Sequence, residues 1–508
     1  MVRHISSLIL CLLILCGCKS GGMKESGARR QADYVPEIAP TSLTMVKSDC
    51  PSEKSAAEEA GNPPSQQIIQ QVSATNAGAN VQLTTSSDTA SIGISLPDSI
   101  ALALSQNPEL VTLRQTERVS SATLGVAQTY PFNPFLQVQA TPWQDARNRT
   151  PDATYHYVLL MQTIQLAHQQ QFREQGASFA LNSTRWNIHQ AELLALAQTE
   201  RLYFIALYQR GLMELAEASD RNNQQLLNIL EKRLEAGEAT AADVAIVRVD
   251  AESTRQQLRL AAANYQSALR DLARQVGVSP QQIPGVDGDL REIVWTLPGV
   301  PKDSRSASAT KTEASASQTK SNVLAWAASR PDVMAARSDI DVARANLCLA
   351  SASKTPDLQI GPYYQTTADN THYIGFRGQI DLPVINNGVP LERQRTAEHN
   401  QRLTAWQQAQ RRAELDTEAA LGRYETALMA AATDTTLTVS DLPAELEGLE
   451  TQFEAGEVDV VRVVQARTSL IQNQRARLDL LNEVAQSAAT LTGASGIPVD
   501  QLLQFSQE

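Results

Sequence analysis

Small and apolar residues recur at alternating steps of three and four along one stretch in the middle of the chain. The positions are Val244, Val247, Ala251, Thr254, Leu258, Ala261, Tyr265, Ala268 and Leu272. This spacing is a heptad seam of about four repeats. It predicts a helix over 241–276 that ends at Gly277, where a residue without Cβ turns easily.

The turn ahead of this helix occurs twice. Leu-Glu-Ala-Gly-Glu-Ala-Thr at 234–240 returns as Phe-Glu-Ala-Gly-Glu-Val-Asp at 453–459, an offset of 219 residues (456 − 237 = 219). Arg330-Pro331 likewise follows Asn107-Pro108 at an offset of 223 (331 − 108 = 223). The similar offsets predict a duplicated chain with two helix-turn-helix tips, at about 234–243 and 453–462.

Very long helices are predicted in both halves. Residues 168–236 contain no proline and few glycines, so one helix of roughly 70 residues, on the order of 100 Å long, is expected. An earlier helix is expected to run from Leu96 past Asn107-Pro108 to about Gln128. In the second half, helices are predicted over 390–432 and after Gly456.

Each half also carries two segments of alternating polarity, at about 134–142 and 154–166, and at about 357–366 and 372–383. The clearest places Ile374, Phe376, Ile380 and Leu382 against Gly375, Arg377, Gln379 and Asp381. Their lengths approach the ~9–11 residues of a tilted membrane strand, although a soluble hairpin is the alternative. Five tyrosines are either an aromatic girdle at the membrane interface or ordinary strand residues: Tyr155, Tyr157, Tyr363, Tyr364 and Tyr373.

Four membrane strands do not close a barrel, and a bilayer does not tolerate open strand edges. If the strands are in a membrane, closure needs at least two chains, and three chains would supply twelve strands.

Composition excludes several other classes. Of the 508 residues 42% are hydrophobic and only 5% aromatic, which is typical of long packed helices. The formal net charge of −12 argues against nucleic-acid binding. The five cysteines and six histidines show no metal-ligand spacing, and neither a paired acid and base nor a phosphate loop is present. We expect no enzyme, cofactor or metal.

The N-terminal region has the pattern of an export signal. Arg3 and His4 precede an apolar run over 5–16, and Gly17-Cys18 follows. We expect residues 1–17 to be a lipoprotein signal peptide and Cys18 to be lipidated; an ordinary signal peptide is the alternative. The expected domains are then a flexible tether (18–93), a first repeat (94–277), a disordered linker (278–320), a second repeat (321–495) and a C-terminal tail (496–508).

The order of helix, strand pair, long helix, tip and heptad helix, found twice, resembles the outer membrane efflux protein family, the TolC-like channels. It is most similar to their lipoprotein branch, which serves heavy-metal and multidrug pumps. The resemblance covers roughly 94–495 and rests on Leu96-Pro97-Asp98-Ser99, Asn107-Pro108-Glu109-Leu110, both tips, Leu382-Pro383 ahead of Asn386-Asn387-Gly388, and Leu442-Pro443.

The resemblance implies a mainly α fold with a small membrane β part: a homotrimer with a 12-stranded β-barrel in the outer membrane and a long α-helical barrel in the periplasm. It implies a passive conduit fed by a periplasmic adaptor (a membrane fusion protein) and an inner-membrane RND or ABC transporter. Gly237, Glu238, Gly456 and Glu457 would be the adaptor-docking tips, and Asp243 would form polar contacts that hold the tunnel gate closed.

The chain departs from the family at one place. Arg462 and Gln465 stand where well-studied members carry acidic residues that bind cations, so no cation-binding ring is expected. A ring of Arg462 would instead prefer anions or pair with Asp243 across the gate. The plainer interpretation is that Glu238, Glu457 and Arg462 are solvated side chains and that Asp243 favours a helix N-terminus.

Two other functions stay open at this point. One is a conduit for type I protein secretion. The other is a lipid-anchored coiled-coil scaffold of the cell envelope that forms no channel.

Overall fold

The computed structural model describes residues 93–141, 155–283, 285–297, 325–367, 369, 371–433, 448, 451–453, 458–497 and 502–505. In the first half the elements are α1 (Leu96–Gln106), α2 (Pro108–Gln128), β1 (Phe135–Thr141), β2 (Tyr155–Ile164), α3 (Gln169–Glu235), α4 (Ala241–Val276), a 3-10 turn (Pro280–Gln282) and β3 (Ile293–Trp295). In the second half they are α5 (Pro331–Ala352), β4 (Leu358–Thr366), β5 (His372–Ile380), α6 (Val389–Thr433), α7 (Val460–Ser495) and β6 (Leu503–Phe505).

The expected continuous helix from Leu96 to Gln128 is wrong, because it is broken at Asn107. This residue has ψ 122°, outside the helical region, as expected for a residue that precedes proline. Its Oδ1 atom accepts hydrogen bonds from the backbone N–H groups of Glu109 and Leu110, which caps α2. Its Nδ2 donates to the carbonyl of Gln275 at 2.8 Å and so ties the break to the end of α4.

The 67-residue helix α3 is the centre of the helical part, since it packs against α1, α2, α4, α5 and α7. After the turn that follows Glu235, α4 returns along α3 and buries Val244, Val247, Ala251 and Thr254 of the heptad seam. The helix ends at Gly277, which has φ +83°.

The second half repeats this construction. Helix α7 ends at Gly496 with φ +76°, 219 residues after Gly277 (496 − 277 = 219). At the position equivalent to Asn107, the buried Arg330 donates from Nη1 to the carbonyl of Ala494 at 3.3 Å. Different side chains therefore bind equivalent carbonyls, near the end of each return helix, which supports a duplicated origin.

A large apolar core, here called the belt, joins the two halves. It contains Phe204 of α3, Leu272 of α4, Tyr424 of α6 and Leu491 of α7, all fully buried. Segments outside the long helices also contribute to it, namely Ile283, Val286, Leu290, Ile293 and Trp295, and Ile497, Leu502 and Leu503.

The described part of the expected disordered linker (278–320) is therefore ordered, because it packs into the belt. Ile497, Leu502 and Leu503 of the C-terminal tail (496–508) pack there as well. Strand β3 pairs antiparallel with β6, and the Trp295 ring lies 5.4 Å from that of Phe204. The prolines of this segment indicate a linker, but Ile293 and Trp295 of β3 are buried in the belt.

Cys348 of α5 is buried and disulfide-bonded, which the spacing of the cysteines does not predict.

The remaining strands form one antiparallel sheet in the order β1-β2-β4-β5. Each half of the chain supplies two of them, and β2 of the first half pairs with β4 of the second. Strands β1 and β5 lie at the two edges.

Candidate functional site

The register of the sheet sorts its side chains onto two faces. Residues directly opposite one another in neighbouring strands share a face, and successive residues of a strand alternate. The pairs Val138–Val158, Val158–Tyr364 and Tyr364–Ile374 therefore place four strands' even-numbered residues on one face. The odd-numbered residues lie on the other.

The even-numbered face is apolar and exposed. Ile374 and Phe376 have 85% and 80% of their surface accessible, and most apolar residues of this face are also exposed: Leu136, Val138, Val158, Leu160, Ile164, Ile360 and Ile380. A monomeric soluble protein rarely exposes so continuous an apolar patch, so this face is expected to meet lipid or a partner.

The odd-numbered face is more polar, with Gln137, Gln139, Thr141, Gln359, Gln365, Arg377 and Gln379. Tyr155, Tyr157, Tyr363 and Tyr373 also lie on it, and only Tyr364 lies on the apolar face. A girdle at a membrane interface has to face lipid. The hypothesis that all five tyrosines form one is therefore wrong.

No helix in the described ranges is both long and apolar enough to cross a membrane. In the same ranges, no group of His, Cys, Asp and Glu is placed to hold a metal ion.

At the other end of the long helices, the first tip is a tight turn built by backbone hydrogen bonds. The N–H of Glu238 donates to the carbonyl of Arg233 at 2.8 Å, and that of Gly237 donates to Leu234 at 3.0 Å. Gly237 has φ +80°, the left-handed conformation of a helix C-terminus. The side chain of Glu238 is exposed.

Asp243 closes the first turn of α4. Its Oδ2 accepts hydrogen bonds from the backbone N–H and the hydroxyl of Thr240, at 3.2 and 2.6 Å. The Thr240 hydroxyl in turn accepts from the Asp243 N–H at 3.2 Å, which completes a capping box. Within one chain, this carboxylate therefore stabilises the helix that begins at the tip.

Arg462 is exposed in the first turn of α7. Among the described residues of the single chain, no ion pair joins it to Asp243. Gly456, Glu457 and Cys18 lie outside the described residues, so the second tip's Ala-Gly-Glu turn and the expected lipidation stay predictions.

The helices at both tips share one apolar cluster, here called the tip cluster. Its buried members are Leu226, Leu230, Val244, Val247, Phe453, Val460 and Val463. Arg233 covers Phe453: its guanidinium carbon lies 4.8 Å from the ring centroid, and Nη1 donates to the Phe453 carbonyl at 3.0 Å. No sequence pattern predicts this contact, because its two residues are 220 positions apart.

A buried polar group lies along α3 and α4 beyond the tip cluster. Asn223 donates to the Asp250 carboxylate at 2.7 Å and lies 3.5 Å from the Thr254 hydroxyl. Thr254 occupies a heptad position, and a polar side chain at such a position fixes the register of paired helices. The two helices near the first tip are thereby held in one alignment.

Comparison with known proteins agrees with this architecture. Residues 99–278 match the family model "Outer membrane efflux protein". The pyoverdine export outer membrane protein OpmQ of Pseudomonas putida is 25% identical over 329 residues, which are 59% of this chain and 62% of the relative. The match thus spans less than two thirds of that relative's length.

Solved structures show the same fold. CusC, a protein that forms a transmembrane channel, superposes with a TM-score of 0.62 at 17% identity, over 81% of this chain and 95% of CusC. VceC of Vibrio cholerae gives 0.60 at 17% identity, over 79% and 96%. The open state of the Neisseria gonorrhoeae MtrE channel gives 0.60 at 18%, over 79% and 88%.

These matches confirm the resemblance to the outer membrane efflux protein family and its TolC-like fold.

Proposed function

We propose that this chain, which has the fold of the outer membrane efflux channels, is the outer-membrane component of a tripartite efflux system. It would be a passive conduit for small molecules or ions from the periplasm to the exterior. The observation that carries the proposal is the sheet with one exposed apolar face and one polar face, joined directly to helices as long as α3.

The free edges of the sheet favour a closed homotrimer. Three antiparallel steps separate β1 from β5, so these edge strands run in opposite directions. Strand β1 of one copy therefore continues the antiparallel ladder of β5 of the next. Three copies supply twelve strands, and a closed barrel leaves no unpaired edge in the membrane. The apolar faces then meet outer-membrane lipid and the polar faces line the lumen.

The two tips are the proposed docking surface for a periplasmic adaptor. Gly237 and the exposed Glu238 lie at the first turn, and Gly456 and Glu457 are expected to lie at the second. The tip cluster joins both helical pairs into one unit. The adaptor would connect the channel to an inner-membrane RND or ABC transporter, which supplies the energy that a passive conduit lacks. Lipidation of Cys18 would add an anchor to the outer membrane.

Asp243 and Arg462 are the proposed gate. Both stand in the first turn of a return helix, next to the tip cluster. In a trimer the first turns of neighbouring copies approach around the tunnel, and an ion pair between copies would oppose opening.

An exposed apolar sheet face disfavours the envelope scaffold, since such a scaffold has no partner for Ile374 and Phe376.

The test is single-channel conductance of detergent-purified protein in planar bilayers, with Asp243→Ala and Arg462→Ala beside the wild type. Thr240→Ala is the matched control, because it removes the same capping box without removing a charge. We expect small, rare openings in the wild type and larger ones in both charge variants, with Thr240→Ala like the wild type. Equal effects of Thr240→Ala and Asp243→Ala would reduce Asp243 to a helix cap. No conductance from any oligomeric sample would reject the channel.

A further inference from the structure

Arg377 of β5 is the one Arg, Lys, Asp or Glu in the described residues of the four sheet strands. It lies on the polar face, since it pairs with Gly361 of β4, and its side chain is exposed. A guanidinium keeps its charge at any physiological pH and is costly when it faces lipid. Its position opposite the apolar face is therefore the position that a strand in a membrane requires.

The guanidinium is held in place across a neighbouring strand. Nη1 of Arg377 donates to the hydroxyl of Tyr157 in β2 at 3.3 Å, so the side chain extends over β4. Gly361 has no side chain on that path. Tyr157 in turn lies against Tyr363, with ring centroids 6.1 Å apart and planes inclined by 32°.

Gly375 lets the Tyr363 ring lie over the backbone of β5. A Cβ at position 375 would be 2.8 Å from Cε1 of that ring, which is too close for any other residue without movement. The ring therefore covers its neighbour strand and offers a broad aromatic surface close to Arg377. Tyr155 and Tyr373 extend this surface on the same face.

An arginine among tyrosines is suited to one class of solute. The guanidinium forms paired hydrogen bonds with carboxylate, sulfonate or phosphate groups, and tyrosine rings stack on planar rings. Arg377 is positively charged, and no Asp or Glu on the described strands offsets its charge. The site therefore repels cations.

We propose that Arg377, positioned by Tyr157 beside Tyr363, makes the strand-lined part of the conduit selective for anionic aromatic solutes. This rests on the proposed function, because the polar face lines a lumen only in the closed trimer, where three such arginines share one passage. Selection at this level acts on cargo that has already passed the tips.

The experiment measures block of wild-type channels by pyrenetetrasulfonate, a flat aromatic tetra-anion, added to one side of a planar bilayer. The long polar helices cannot cross the bilayer, so protein added to one chamber presents its strand loops to the other. The blocker is added to that other chamber, where it reaches Arg377 without passing the tips. The readout is the blocker concentration that halves the conductance.

Arg377→Gln should raise this concentration at least about tenfold, whereas Arg377→Lys, which keeps the charge, should raise it about threefold or less. Arg423→Gln removes an exposed arginine from α6 and should leave the block unchanged. Should Arg377→Gln fail to assemble, Gln379→Arg adds a second cation to the same face and should lower the half-blocking concentration.

Equal block of the wild type and Arg377→Gln, or no change in Gln379→Arg, would overturn the selectivity while leaving the channel intact. Absence of conductance in the oligomeric wild type would instead reject the proposed function. The two failures are therefore distinguishable in one set of recordings.

Discussion

Equivalent positions of the two repeats hold different residues, which donate hydrogen bonds to equivalent backbone carbonyls. Asn107 caps α2 and binds the carbonyl of Gln275, whereas Arg330 binds the carbonyl of Ala494 and also pairs with Asp332 at 2.6 Å. Sequence alone identified both as residues ahead of a proline. The carbonyls that they reach lie 168 and 164 residues away, so the role of each was not predictable from the linear pattern.

Replacing Arg330 by methionine should destabilise the second repeat. The arginine side chain is only 8% exposed, and its loss leaves the Asp332 carboxylate without its closest cation. We expect a loss of about 2–3 kcal/mol in the free energy of unfolding. Thermal unfolding in detergent measures it as a lower melting temperature.

Arg423→Met is the control for this change. Arg423 and Glu483 form an ion pair whose side chains are 66% and 51% exposed, and such pairs contribute about 0–1 kcal/mol. Equal shifts in the two variants would mean that burial of Arg330 contributes nothing.

Glu192 gives a prediction on pH dependence. Burial raises the pKa of this carboxyl, but hydrogen bonds from His189 and Arg114 and the charge of Arg114 outweigh it and hold the pKa below its usual value. A depressed folded-state pKa stabilises the fold above the unfolded pKa of about 4.5, and this stabilisation is lost as the pH falls through the folded value.

Glu192→Gln should therefore reduce the free energy of unfolding at pH 7 by an amount on the order of 1–2 kcal/mol, which is measured as a lower melting temperature. The difference from the wild type should shrink when the pH falls below about 4.5. Melting curves at pH 7, 5 and 3.5 make the comparison. A difference that stays constant across this range would assign the effect to packing rather than to the charge on Glu192.

At the level of secondary-structure elements, regular hydrophobic periods predict the positions of individual helices and strands. The heptad seam placed α4, and alternation placed four strands, because each pattern covers enough residues to distinguish period 3.6 from period 2. The three residues of β3 and of β6 are too few for any period, and each pairs with a strand far along the chain. Their place in the belt depends on that partner, so local sequence does not predict it.

Gly277, at the end of α4, lies in close contact with the backbone of Gln106 at the end of α1. An alanine at Gly277 would suffer twice: its φ of +83° disfavours a side chain, and its Cβ would lie 2.3 Å from the Gln106 carbonyl oxygen. Gly288 has φ +84° but open space at the Cβ position. Gly277→Ala should therefore cost about 2 kcal/mol or more beyond Gly288→Ala. Melting temperatures of both variants measure the difference, and equal losses would show that backbone conformation alone matters.

For the whole molecule, the two faces of the sheet predict opposite responses to the same added charge. Phe376→Lys places an ammonium on the apolar face, where a residue near the bilayer midplane costs about 2–4 kcal/mol. Gln379→Lys places it on the polar face three residues away, where water is expected. We expect Phe376→Lys to reduce the detergent-extracted trimer in outer-membrane fractions and Gln379→Lys to leave it unchanged. Equal trimer yields for both variants would mean that the apolar face does not meet lipid.

Strand β3 has a consequence for how the chain matures. Its partner β6 begins 210 residues later (503 − 293 = 210). At about 5–20 residues per second, ribosomes need roughly 10–40 s to make that interval. During this delay Ile293 and Trp295 lack the strand that covers them, so the first repeat cannot complete its fold ahead of the second. The duplicated halves therefore complete their folding together, because the last strand of the chain finishes a core that begins in the first half.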